Sequence, residues 1–153
     1  MALTAGDRIR NLLGLYAERL DAGDFAGVGE LFARGALAAE DGEPFVRGAA
    51  DVAAFYAAST QLHDGAPRTR HLVSGTILDD PAADGTITAR SSYVVFQGTD
   101  GFPLQPIITG RYVDRFAPDD VGGDWHFVER RFWVDHLGDL SQHLVDPSIA
   151  DRP

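Results

Sequence analysis

The chain has 153 residues, 44% of them hydrophobic and 10% aromatic, which is enough for one domain with its own core. It has no cysteine and no lysine, and 13 arginines stand against 23 acidic residues for a net charge of −10. This excludes disulfides, thiol nucleophiles, cysteine metal sites, Schiff-base lysines and the P-loop lysine, and such a charge repels nucleic-acid backbones. No run reaches the ~18 apolar residues of a membrane span. The N-terminal MALTAGDRIRN lacks the basic-then-apolar pattern of a secretory signal, so a cytoplasmic protein is expected.

In chain order, Ile9, Leu12, Leu13, Tyr16, Ala17 and Leu20 recur at helical spacing and predict a first helix. Thr4 or Asp7 can cap its start, and Gly23 suits a left-handed end. Asp24 can cap a short second helix that turns Phe25, Val28, Leu31 and Phe32 inward. The stretch ALAAEDGEPFVRG predicts a small strand pair around Asp41-Gly42, and Val52, Phe55 and Tyr56 mark a third helix over about 49–60. Four longer strands follow, at about 70–78, 86–96, 107–116 and 125–135. Their links, DDPAADG, GTDGFP and PDDVGGD, are short and turn-rich, so an antiparallel meander is expected. Helices followed by strands give an α+β fold. Many strand positions are apolar on both faces, as if helices covered one side of the sheet and a second subunit the other. In the closing HLGDLSQHLVDPSIADRP, Leu137, Leu140 and Leu144 suggest a short helix or ordered arm. One domain over 1–145 and a flexible tail over 146–153 are expected.

Several residues could carry chemistry. His71 starts the first long strand, with Thr69, Val73 and Gly75 as its mates by alternation. It reads either as a general base or as a half-buried histidine bonded to a backbone carbonyl. Asp21 ends the first helix near its buried stripe. A carboxylate there needs a partner, such as an imidazole, unless it simply finishes the helix in solvent. Tyr16, Tyr56, Tyr93 and Tyr112 can bring hydroxyls to an apolar cavity or serve only as core. Arg130 and Arg131 are adjacent on the last strand and must face opposite ways. One can enter the pocket as an anion or enolate partner, and alternation does not decide which. His126, His136 and His143 lack metal-ligand spacing, so no metal is expected. There is no G-x-S-x-G, G-x-G-x-x-G or P-loop.

Taken in order, I-x-x-L-L-x-x-Y-A-x-x-L-D-x-G-D (9–24), L-F-A (31–33), R-H (70–71), G-R-Y-x-D-R-F (110–116), W-H-F-x-x-R-R (125–131) and G-D-L-S-x-H-L (138–144) resemble the SnoaL-like branch of the nuclear transport factor 2-like superfamily. The resemblance covers about residues 5–145. It implies a cone-shaped, strongly curved antiparallel sheet wrapped around three N-terminal helices, a cystatin-like roll with a deep pocket. It also implies a homodimer through the outer sheet face. In the dehydratase-like enzymes of the superfamily, an aspartate ending the first helix pairs with a histidine on the first long strand. Asp21 and His71 match those positions, and Tyr16 matches a pocket tyrosine. The arginine–aspartate arrangement of the epoxide hydrolases and the paired acidic groups of ketosteroid isomerase are not evident. Ser92 and Tyr93 stand where some dehydratases place a further acidic or basic residue.

The function implied is a cofactor-independent lyase, isomerase or cyclase of secondary metabolism. Asp21 and His71 would carry acid–base catalysis on a small, apolar, oxygenated metabolite such as a polyketide, steroid-like or terpenoid compound. Tyr16, Tyr56, Tyr93, Tyr112 and Arg130 would bind it, with no cofactor, metal, nucleic acid or membrane involved. The alternative on the same fold is a non-catalytic binding or oligomerisation module.

Overall fold

Helix α1 (Ala5–Asp21) begins with a capping box. Thr4 accepts from the Asp7 backbone N–H, while the Asp7 carboxylate accepts from the Thr4 N–H at 3.0 Å. Its stripe of Ile9, Leu13, Tyr16 and Leu20 is buried, and Gly23 ends the helix at φ +75°. Asp24 caps α2 (Phe25–Leu31) by accepting from the Gly27 N–H, and Gly48–Ser59 forms α3, with Val52 fully buried. The computed structural model describes residues 1–148.

The four long strands are β3 (Thr69–Leu78), β4 (Ile87–Thr99), β5 (Phe102–Pro118) and β6 (Trp125–Leu137), an antiparallel meander as the short links require. The small pair is β1 (Ala36–Ala39) and β2 (Val46–Arg47). Here the sheet departs from the all-antiparallel expectation, because β1 docks against β6 in parallel. The order is β2-β1-β6-β5-β4-β3, a curved, unclosed mixed sheet around the helices. The core is formed where α1 and the inner sheet face meet: Ile9, Val28, Phe32, Phe116 and Phe127 are completely buried.

Bulges set which side chains face inward. Gly75 (φ +61°) lies in a register shift between Ser74 and Ile77, so the inner row of β3 runs Thr69, His71, Val73 and then Thr76 and Leu78. Gly75 therefore drops out of the row that strict alternation gave it. In β6, Phe116 pairs with Phe127 but Arg115 with Glu129, so Val128 is extra. Phe127 and Arg130 thus share the inner face, and Trp133 points outward with Arg131.

Residues 138–145 form an ordered arm and not a helix. Leu140 is buried, Leu144 bridges to Thr60, and the Val145 N–H donates to the Ser59 carbonyl. Of the flexible tail expected over 146–153, residues 149–153 lie outside the described residues. Residues 146–148 form a short turn in which the Asp146 carboxylate accepts from the Ser148 N–H. Among the described residues, no helix is long and apolar enough to cross a membrane.

Candidate active site

Asp21 is the last residue of α1, and β3 brings three donors to its carboxylate. The Thr69 hydroxyl donates to Oδ1 at 2.8 Å, and the His71 backbone N–H donates to Oδ2 at 2.9 Å. The His71 ring Nδ1 lies 2.5 Å from Oδ1. Both side chains are nearly buried, at 8% and 6% exposure, so this is a desolvated pair and not a surface contact. Burial pushes the Asp21 pKa upward, but the bonds from His71 and Thr69 outweigh it and leave the carboxyl below its ordinary value. An ionised Asp21 fixes the proton on Nδ1 and turns Nε2 into a free basic nitrogen.

His71 forms part of the wall of a largely apolar cavity of about 200 Å³, open on one side, that is lined by α1, α3, β3–β6 and the arm. Its apolar lining includes Leu20, Phe55, Val95 and Phe132. On the other side, Asp21 and His71 also border a more open groove of about 480 Å³ between α1 and β3, with Arg10, Glu18 and Arg70 around it. His71 borders both spaces and Asp21 only the groove.

All four candidate tyrosines reach the cavity. The hydroxyls of Tyr16 and Tyr56 are 2.6 Å apart, so one donates to the other and one hydroxyl hydrogen is left over. Burial raises the pKa of both. Tyr93 stacks on Tyr112 with ring centres 4.2 Å apart, and its hydroxyl donates to the Trp133 carbonyl at 3.1 Å. That stack needs Gly110. A Cβ there would sit 2.1 Å from the Trp133 carbonyl oxygen and 2.6 Å from the Tyr93 ring.

Arg130 faces inward, but the structure corrects its placement in the pocket. It is fully buried one layer behind the cavity wall, between the rings of Tyr112 (3.7 Å) and Tyr16 (4.1 Å). Its Nε and Nη2 both donate to Asp114 at 2.8 Å. An arginine–aspartate pair is therefore present on these strands, hidden from the sequence because the Val128 bulge places it. Burial pushes the Asp114 carboxyl up while Arg130 opposes this; Arg130, despite its own burial, is held charged by Asp114. Arg131 points the other way and donates to the carbonyls of Glu40 and Gly42.

The sequence reading missed His143. It lines the same cavity from the arm. Burial, and then the neighbouring His71, push its pKa down to about 4, so the ring is neutral at pH 7. The available signal was the motif G-D-L-S-x-H-L; residue spacing within the arm carried none.

A family model described as a SnoaL-like domain matches residues 1–131. Three solved structures place the fold. Rv3472 of Mycobacterium tuberculosis, a protein of unknown function, is 26% identical, with a TM-score of 0.66 over 85% of this chain and 76% of its own. ActVI-ORFA of Streptomyces coelicolor is 23% identical, with a TM-score of 0.68 over 85% of this chain and 96% of its own. A scytalone dehydratase-like protein of Novosphingobium aromaticivorans is 18% identical, with a TM-score of 0.65 over 86% of this chain and 85% of its own. No curated protein sequence matches the chain.

Proposed function

Because the chain belongs to the SnoaL-like domain family, we propose that it is a cofactor-independent enzyme of the cyclase or dehydratase type, with His71 as general base. The observation that carries this reading is His71 in the wall of an apolar cavity, with its Nδ1 2.5 Å from the nearly buried Asp21 carboxylate behind it. A cavity of about 200 Å³ suits a small, mostly apolar, oxygenated metabolite, below the volume that drug-sized ligands occupy. Nε2 of His71 takes a proton from the carbon beside a carbonyl or leaving group. Asp21 stabilises the imidazolium that forms. The electron pair moves toward the substrate oxygen, where the unshared hydroxyl hydrogen of the Tyr16–Tyr56 pair can meet it. Arg130, behind Tyr16 and Tyr112, favours that negative charge through the rings. The proton then returns to carbon in an isomerisation, or leaves with the hydroxyl group as water in a dehydration.

The test uses 2-tetralone as an enolisable probe, with exchange of its α-protons into deuterium oxide followed by NMR. The intact protein is expected to accelerate exchange, and His71→Ala to lose about 10²–10⁴-fold of that acceleration. Unchanged exchange in His71→Ala would overturn the reading. Binding of the probe without exchange would instead mark the non-catalytic module.

A further inference from the structure

The cavity offers a ligand few polar groups that the protein has not already used. The Tyr93 hydroxyl donates to Trp133, the Ser59 hydroxyl donates to the Phe55 carbonyl at 2.8 Å, and the hydroxyls of Tyr16 and Tyr56 are bonded to each other with one hydrogen to spare. His71 gives Nδ1 to Asp21 and keeps Nε2. His143 is different. Its ring lines the cavity, yet its Nδ1 is buried and has no hydrogen-bond partner among the described residues.

The main chain around this ring is firmly tied. The His143 N–H donates to the Leu140 carbonyl, and the His143 carbonyl accepts from the Gln61 N–H at 2.8 Å. Gln61 Nε2 donates to the carbonyls of Ser141 and Leu144, and Gln97 Nε2 donates to that of Gln142 at 2.9 Å. The arm is therefore held by side chains from outside it, and the ring it carries has unspent bonding capacity. Nδ1 itself has almost no accessible surface, so a ligand cannot reach it; the other ring nitrogen, Nε2, is not among the buried atoms and makes no hydrogen bond within the described residues, and it is the atom left to meet a ligand.

We propose that His143 is a substrate-binding residue that selects for an oxygen on the ligand, bonding a hydroxyl or carbonyl from the arm while the carbon chemistry takes place at His71. A neutral imidazole has one N–H to give and one lone pair to accept with, and it can do either without bringing charge into an apolar cavity. This rests on the cavity being the ligand site, and it adds a chemical requirement: the ligand must carry an oxygen at a second point, apart from the carbon that loses its proton.

The experiment compares 2-naphthol with naphthalene, two probes of nearly equal size and shape that differ by one hydroxyl. Their own fluorescence reports binding to the full chain. The intact protein is expected to bind 2-naphthol about tenfold more tightly than naphthalene or better. His143→Phe keeps ring volume and removes both nitrogens; it should retain naphthalene affinity and bring the two probes to within about threefold. His143→Asn, which restores a polar atom, should recover part of the preference. Nitrogen-15 spectra of the unaltered protein provide a readout independent of variant folding: the His143 ring signals should move with 2-naphthol and stay with naphthalene. Equal affinities in the intact protein, a preference that survives in His143→Phe, or unmoved ring signals would each overturn the role of His143 while leaving the cavity as the ligand site. If neither probe bound, the ligand-site reading would fall with it.

Discussion

At Asp21, burial and hydrogen bonding pull in opposite directions, and bonding wins. A carboxyl whose folded pKa lies below its unfolded value lends stability that is complete above ~3.9 and is lost as pH falls below that. At His143 the charged form is the one penalised. The unfolded chain takes up a proton near pH 6.5 and the folded one only near pH 4, so stability falls as pH drops through that window. The loss is on the order of 3 kcal/mol. Denaturant titrations at pH 7 and pH 4 should show this loss in the intact chain and a smaller one in His143→Phe; parallel losses in the two chains would refute it. Asp21→Asn leaves donors from Thr69 and His71 facing an amide, and should cost about 1–3 kcal/mol in the same assay. Asp21 and His71 could be paired from sequence because each sits at the end of a well-marked element. His143 could not, because its neighbours in space, Gln61 and His71, are far away in the chain and no periodicity links them.

Among the elements, α1 was the most legible, since its stripe, cap and stop all agree. The strands were legible as elements but not in their facing. Period-two alternation holds only between bulges, and Val128 turns an undecidable choice between Arg130 and Arg131 into a definite one. The parallel seat of β1 on β6 was hidden for a different reason. It pairs four residues with a strand some ninety positions away, and no local pattern encodes that. Gly110 shows how tightly the inner face is built. Gly110→Ala should destabilise the protein by about 1–3 kcal/mol through overpacking against Trp133 and Tyr93. A thermal melt as high as that of the unaltered chain would show that β5 and β6 can part without cost.

On the scale of the whole molecule, helices cover one side of the sheet and leave the other bare. Leu72 is 50% exposed there, beside half-buried Val94 and Phe96, and farther across the same face the Arg111 guanidinium lies over Trp133. Burial of this face by a second copy of the chain is the proposal it supports. Light scattering should return twice the 16.5 kDa chain mass, and Leu72→Glu should return it to once. A single-chain mass for the unaltered protein at every concentration would rule out the pairing.

His71 stands between the largely apolar cavity and the groove between α1 and β3, and its partner Asp21 lies on the groove. A hydrogen lifted from a bound molecule rests on Nε2, whereas the groove side holds Asp21 and the Nδ1 hydrogen, so its trade with bulk water goes through the open side of the cavity and past the bound molecule. The ratio of solvent isotope in unconverted substrate to product formed would then measure how well the bound molecule plugs that opening.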